Sequence, residues 1–364
     1  MMYKKAIEVL KKFEDNNHQA YIVGGYVRDK LINKKSNDID ICTSATPKDI
    51  IKLFDITTGS QTQYGAVTII YKNQKFDVTT FRKELKYEDN RKPVKIQYIT
   101  DIKKDLLRRD FTINTFCINS NDEVLDFLNI KEDIDKKIIK TVGNPRYKLK
   151  EDSLRILRAI RFAAILDFEI DDKTKYYITR YAKYLKTLSY QRKKDELNKI
   201  FLSTNKERGR QLLLELKLDK YLELDKLSSI TMCNDVIGIW AQLEVDNKYP
   251  FSKIEKEQMK KIRKLLKEDN LDPYILYKYE LYPNSVCAEI KKIDKKKVTR
   301  AYNNLTIFSR RDIVVKEMEI ARILEKTPGS YLKNIILDLE KKIVSNELKN
   351  EKEDITNYII NKYK

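Results

Sequence analysis

Of the eight glycines in this chain, five (Gly24, Gly25, Gly59, Gly65 and Gly143) lie before residue 144, and the next is Gly209. A chain that places its glycines early turns often there, and one that withholds them afterwards can run in successive helices. Before residue 144, a helical stretch at 4–16 is followed by short β-branched and aromatic runs at 20–23, 38–42, 66–71, 76–80 and 112–119, separated by turn formers. From Glu151 onward the apolar spacing becomes helical, as in Leu154, Leu157, Ile160 and Ala164. Breaks at 247–250, Asp272-Pro273, Pro283-Asn284 and Pro328-Gly329 divide the remainder into helical groups with no fixed-period repeat. The alternation of sheet and helix over 1–143 means an α/β or α+β domain, of which α+β with a small mixed β-sheet is expected, and all-α segments are expected to follow over 144–205 and 206–364.

Composition narrows the chemistry. The sequence holds 74 Lys and Arg against 55 Asp and Glu, a formal net charge of +19, together with 23 Tyr. Such a surface draws polyanions, and aromatic rings can stack on bases. The single histidine, His18, excludes His-cluster metal sites and hydrolase machinery that needs a second histidine. Chemistry therefore rests on carboxylates, arginine and lysine. Cys42, Cys117, Cys233 and Cys287 form no CxxC pair, which predicts reduced thiols and a cytoplasmic location. No stretch approaches the ~20 consecutive apolar residues of a membrane span, and the N-terminus carries no signal-type apolar core, so no membrane partner is expected.

Two short patterns can carry phosphate chemistry. In Val23-Gly24-Gly25-Tyr26-Val27-Arg28-Asp29 an apolar run ends in two glycines and a helical pattern begins, so backbone N–H groups and the Arg28 fork can approach an anion. About ten residues on, Asp38-Ile39-Asp40-Ile41 alternates with period two and puts both carboxylates on one face. Two like charges on one face repel. A divalent cation between them relieves the repulsion, and Mg²⁺ in particular takes oxygen ligands and completes its shell with substrate phosphates.

The Gly-Gly-x-x-Arg-Asp turn, the Asp-x-Asp run and the following Thr43-Ser44-Ala45-Thr46-Pro47 occur in that order, and three further blocks follow: Asp77-Val78-Thr79-Thr80-Phe81-Arg82, Arg108-Arg109-Asp110-Phe111-Thr112-Ile113-Asn114, and the stretch from Glu151-Asp152 through Arg155, Arg158 and Arg161 to Phe162. Over residues 20 to 200 the sequence resembles the class II tRNA nucleotidyltransferases, the CCA-adding enzymes and bacterial poly(A) polymerases of the polymerase-β-like superfamily. The resemblance implies that Asp38 and Asp40 are catalytic and bind Mg²⁺. It implies that Gly25, Arg28, Arg109, Arg158 and Arg161 hold phosphates or sugar, and that Asp152 and Arg155 act as an amino-acid template for the incoming base. Asp110 would position the ribose or support the fold. Asp77 stands where the family usually has Glu, as a third acid near the metal or a structural partner, and Gln191 stands in place of a family Glu, which bears on a helix-bracing contact.

Steps of three place Asp152, Arg155, Arg158 and Arg161 on one broad polar side of a helix, with Ile156, Leu157, Ile160 and Ala163 on the buried side. Cytosine and adenine each offer an amino donor beside a ring-nitrogen acceptor, whereas uracil and guanine reverse that polarity. An ionised Asp152 only accepts and Arg155 only donates, so the pair complements C and A and leaves unpaired groups against U and G.

The expected reaction is Mg²⁺-dependent addition of C, C and A from CTP and ATP to the 3′ acceptor end of tRNA, with release of pyrophosphate. Residues 58–68 lack the Gly-Arg-Arg run of the poly(A) polymerases, and the polar stretch at 81–104 matches the loop that family members use to switch from C to A. CC-adding relatives shorten that loop and A-adding specialists keep it. A-adding or CC-adding specialists, a poly(A) polymerase and a catalytically silent RNA-binding protein stay open as alternatives, as does the choice between monomer and homodimer. Lys260-Lys261-Ile262-Arg263-Lys264 and Lys295-Lys296-Lys297 are candidate RNA contacts or solvated helix faces.

Overall fold

The computed structural model describes residues 2–57, 65–88 and 92–364, the side chains of 84–88 and 92–95 excepted. The chain folds into two compact units, Met1–Asp225 and Lys226–Lys364. The expected boundaries at 143 and 205 both fall inside the first of these.

The first unit carries all the strands of the described residues: β1 Ala20–Val23, β2 Asp40–Thr43, β3 Asp55–Ile56, β4 Ala66–Tyr71, β5 Gln74–Thr80, β6 Arg82–Glu88, β7 Lys92–Tyr98, β8 Cys117–Ile118, β9 Val124–Leu125, β10 Ile138–Ile139 and β11 Glu169–Ile170. Seven of them form a mixed sheet in the order β3-β4-β5-β2-β1-β8-β9, while β6 pairs with β7 as a separate hairpin. Within the large sheet only β2 and β5 run parallel, and their register sets Asp40 opposite Asp77. Alternation holds the sheet in place: Ile22, Ile41, Val67, Ile69, Phe76 and Val78 are buried. Helix α1 Met2–Glu14 contributes Ala6, Val9, Leu10 and Phe13, an i, i+3, i+4, i+7 stripe, to the interior.

The other helices of this unit are α2 Gly25–Leu31, α3 Pro47–Leu53, α4 Ile102–Leu107, α5 Lys131–Asp135, α6 Pro145–Glu151, α7 Leu154–Leu166, α8 Asp172–Tyr181, α9 Tyr190–Phe201, α10 Lys206–Glu215 and α11 Asp219–Leu222. Helix α7 packs against α9 and α10. At Gly209 in α10 any Cβ would sit 2.5 Å from Ile200 and 3.3 Å from Ala164, so glycine is what lets these three helices close together.

The second unit is all helical, from α12 Val236–Leu243, α13 Lys253–Leu265, α14 Pro273–Tyr279, α15 Leu281–Ile290 and α16 Lys295–Asn303 to α17 Glu317–Ile323, α18 Tyr331–Val344 and α19 Lys352–Tyr363. Its interior joins Leu276, Val298, Ile320, Leu339, Ile343 and Ile359. Buried Glu340 accepts from Tyr277 and Arg310, which satisfies a carboxylate inside that helical packing.

The α+β reading and most strand positions stand, with three local corrections. The strand expected at 38–42 begins at Asp40, so Asp38 precedes it. The run at 112–119 divides into a 3₁₀ turn, Thr112–Asn114, and the two-residue β8. The helical break expected at Pro283-Asn284 falls at Glu280, which takes φ 64°, while Pro283 sits in the first turn of α15 where a missing N–H costs nothing.

Candidate active site

One open cavity of about 620 Å³ in the first unit is lined by all nine residues singled out from sequence: Gly25, Arg28, Asp38, Asp40, Arg109, Asp152, Arg155, Arg158 and Arg161. Gly24, Arg82, Arg108, Asp110, Asn114, Phe162 and Lys199 complete its wall. Arginine dominates, and the wall divides into an acidic end and a basic one.

The acidic end is built by the sheet. Asp40 opens β2, Asp38 lies two residues earlier, and Asp77 is the register partner of Asp40 on β5. Asp40 is exposed to the cavity, where reduced hydration between the walls, then the charges of Asp38 and Asp77, push its carboxyl up to about 6, with Arg109 pulling the other way. Thr68 donates to Asp77 at 2.6 Å. Neither Asp38 nor Asp40 takes a hydrogen bond or ion pair from another side chain among the described residues. Gly24, with φ +80°, lets the chain turn from β1 into α2 while its backbone passes close to this end: a Cβ there would lie 3.7 Å from an Asp40 oxygen and 3.9 Å from Arg109 Nη1.

The donors at this end are hard oxygens whose mutual repulsion an external cation would relieve, which fits Mg²⁺. Among the described residues no group of three or more acidic, His or Cys side chains converges into a protein cage. That too suits Mg²⁺, which is commonly held by one or two carboxylates and substrate phosphates.

The basic end consists of arginines that the protein has braced. Arg28, 7% exposed, donates to Asp29 through Nε (2.9 Å) and Nη2 (2.7 Å), and to Asn114 through Nη1 (2.9 Å). Arg109 donates to Asp105 at 3.2 Å, and its Nε is buried with no partner among the described residues. Arg158 Nε donates to Asp110 at 2.7 Å. Burial opposes ionisation of Asp110, but Arg158, Asn114 and the Phe111 N–H outweigh it and hold the carboxyl at about 2. Arg161 donates to buried Glu196 at 2.9 Å. Burial first, then the positive charges of Arg158 and Arg28, pull the Arg161 guanidinium down to about 10, against the opposing carboxylates Glu196 and Asp110. So much positive charge with its solvent removed is a site that a polyphosphate would relax.

Asp152 and Arg155 stand at the junction of α6 and α7. The expected position of Asp152 on the arginine helix needs correction: α7 starts at Leu154, and Asp152 is in extended backbone (φ −140°, ψ 101°) with one carboxylate oxygen accepting from the Leu154 N–H at 3.0 Å. Aspartate is better suited to an unsatisfied helix-start N–H than to a helix interior, which explains the shift. Arg155, Arg158 and Arg161 all line the cavity, and Arg155 and Arg161 are only 6% and 8% exposed. Arg155 donates to the carbonyls of Lys148 (2.9 Å) and Arg108 (3.1 Å), which fixes its plane and commits two of its five N–H donors. Ile156, Leu157, Ile160 and Ala163 are buried as expected. Gln191 donates to Asp195 at 2.8 Å on the surface of α9, and Ser189 ahead of it makes no side-chain cap.

Sequence reasoning passed over Asp105, Glu196 and Phe162. Asp105 stands three and four residues before Arg108 and Arg109, a helical ion-pair spacing that could have found it. Phe162 has the guanidinium carbons of Arg161, Arg28 and Arg158 at 4.5, 5.2 and 5.3 Å from its ring centre, and nothing in the local sequence marks Arg28 as a neighbour of these α7 residues.

Comparison with known proteins bears on the family and the fold. Residues 20–140 match the poly A polymerase head domain, residues 167–227 the "Probable RNA and SrmB- binding site of polymerase A", and residues 247–359 the tRNA nucleotidyltransferase domain 2. The chain is 30% identical to the CCA-adding enzyme of Bacillus cytotoxicus and 27% identical to that of Staphylococcus epidermidis, in each case over 98% of both chains. Its fold is similar to the crystal structure of Bacillus stearothermophilus CCA-adding enzyme in complex with CTP, with TM-score 0.89 and 24% identity over 99% of this chain and 97% of that one. The Thermotoga maritima CCA-adding enzyme complexed with tRNA superposes with TM-score 0.70 at 19% identity, over 99% of this chain and 95% of that one.

Proposed function

This chain belongs to the CCA-adding enzyme family, and from that premise we propose that it is a CCA-adding tRNA nucleotidyltransferase. It adds C, C and A to the tRNA 3′ end from CTP and ATP without a nucleic-acid template. The observation that carries the reading is the single cavity in which an Asp-x-Asp end without protein partners faces a wall of braced arginines.

The reaction joins the 3′-oxygen of the RNA to the α-phosphorus of CTP or ATP and breaks the bond to pyrophosphate. Asp38 and Asp40 are the catalytic carboxylates and would hold Mg²⁺. When bound, that ion supplies charge neutralisation at the triphosphate and favours loss of the 3′-hydroxyl proton. Gly25, Arg28, Arg109, Arg158 and Arg161 hold the phosphates and sugar, their planes preset by Asp29, Asn114, Asp105, Asp110 and Glu196. Asp152 and Arg155 read the base edge. The capped Asp152 oxygen and the carbonyl-bound Arg155 leave this pair little freedom to rotate, which is what a reader that must reject U and G requires.

The head at 1–143 would perform the transfer, the neck at 144–205 select the base, and the body and tail at 206–364 grip the tRNA. In the second unit Lys260, Arg263, Lys264 and Lys267 share a cleft of about 470 Å³, and Arg263 is fixed there by both Asp246 oxygens at 3.0 and 3.1 Å. We place Lys260 and Lys264 among the RNA contacts. A cytoplasmic location fits the four free buried cysteines, and no helix of the described residues is long and apolar enough to cross a membrane.

Incubation with tRNA lacking its 3′ CCA, labelled CTP and ATP, and Mg²⁺ tests the reading. Sequential addition of C, C and A is the expected result. Addition of A alone, of CC alone, or of a long A tract would replace it with the corresponding specialist, and absence of any transfer would leave an RNA-binding protein. Parts of the segments that bear on this choice, residues 58–64 and 89–91, lie outside the described residues.

A further inference from the structure

We propose that Asp105 is a positioning residue that ties the nucleotide-facing arginines Arg108 and Arg109 to the base of the β6–β7 hairpin. The proposal rests on the function argued above. Asp105 lies on α4, wholly buried, with 1% of its side chain exposed. One oxygen accepts from Arg108 Nε at 2.9 Å, from Arg108 Nη2 at 2.8 Å and from the backbone N–H of Arg82 at 3.1 Å; the other accepts from Arg109 Nη2 at 3.2 Å. Arg82 is the first residue of the hairpin, and the side chains of Arg82, Arg108 and Arg109 all line the cavity. A carboxylate taken out of water is stable only with such compensation, and this one obtains it from both sides of the site.

The geometry gives Asp105 a direct mechanical role. Arg109 is held by Asp105 through Nη2, while its Nη1 is 3.9 Å from where a Cβ on Gly24 would stand and its charge acts on Asp40. A displacement of Arg82 therefore moves the oxygen that orients Arg108, and through the shared carboxylate it reaches Arg109. Hairpin position and nucleotide grip become one coupled variable, with Asp105 as the joint.

The test uses the full-length protein, with calorimetric CTP and ATP binding measured beside steady-state transfer. Asp105→Asn keeps the shape and removes the charge, and it should weaken binding and raise KM for both nucleotides about tenfold while kcat changes less than about threefold. In an Arg108→Ala/Arg109→Ala background the same substitution should add less than about twofold, because its effect passes through those arginines. Multiplying effects, or a loss of kcat with KM unchanged, would overturn the proposal. A second measurement needs no variant: CTP should slow hydrogen exchange at the Arg82 amide of the wild type, and unchanged exchange with CTP bound would equally overturn it. Wild type that binds neither nucleotide would reject the functional reading itself, whereas wild type and Asp105→Asn that bind equally would reject only the role of Asp105.

Discussion

The two ends of the cavity are built on opposite principles. At the sheet end, Asp38 and Asp40 crowd a third carboxylate, Asp77, and receive no hydrogen bond or ion pair from other side chains among the described residues. At the helix end, Arg28, Arg109, Arg158 and Arg161 each have a carboxylate partner, Arg109 sharing Asp105 with Arg108. On the proposed function, the acids are left to an external cation and the bases are braced in advance. On that reading the difference follows from what each end would handle: a metal is exchanged with its nucleotide and needs no standing partner in the fold, whereas gripping phosphates and sugar demands donors whose directions are already set.

The sharpest way to break the comparison is at the acids. Asp38→Ala or Asp40→Ala should lower nucleotide transfer by about a thousandfold or more, since a lost ligand removes the charge stabilisation that the metal supplies, while tRNA binding stays nearly intact. Transfer assays paired with gel-shift binding check this, and substantial residual transfer in both variants would remove the metal assignment.

At the basic end the cost should appear in stability. Asp110→Asn leaves Arg158 without its carboxylate, and because Arg158 is partly open the loss should be about 3 kcal/mol, at the lower end for buried pairs. The sign with pH is fixed by the lowered carboxyl: with Asp110 held at about 2 against an ordinary 3.8, its stabilisation is present above about 4 and is lost as pH falls through 2. Acid titration of wild type and Asp110→Asn should therefore converge at low pH. A gap that persists at pH 2 would contradict the pairing.

Asp152→Ala sharpens the comparison at the junction. Discrimination of CTP and ATP against UTP and GTP should shrink by about ten- to a hundredfold, because one base-edge pairing is worth roughly 1–3 kcal/mol. Incorporation measured with the four nucleotides separates this from a helix-start role for Asp152, which predicts uniform loss with unchanged preference.

How much of this was legible in the sequence depends on how local the cause was. The strands at 20–23 and 66–71 and the helical stretch at 4–16 follow from short patterns, and the structure agrees with each; the nine residues that the family resemblance singled out line one cavity. What the sequence hid is long-range. The Asp110 contact with Arg158 spans 48 residues and the Asn114 contact with Arg28 spans 86, so no window of periodicity reveals them. The near-complete burial of Arg155 and Arg161 was hidden too, because helical spacing cannot tell a solvated face from one turned into a cavity. Asp152 was placed on the helix for a related reason: step-of-three spacing continues past a helix start, and only the backbone shows where the helix begins.

The smallest effect tests the contrast most directly. Because the folded protein holds Asp40 at about 6 against an ordinary 3.8, this group costs stability as pH rises from about 4 to 6, and the cost persists above that. Thermal unfolding at pH 7.5 should then show Mg²⁺ raising the melting temperature of the wild type by about 1–3 °C. Asp40→Asn should melt higher than wild type without Mg²⁺ and respond little to its addition. A wild type indifferent to Mg²⁺, together with an Asp40→Asn variant that melts lower, would show that the acids are braced by the protein after all and would contradict the account.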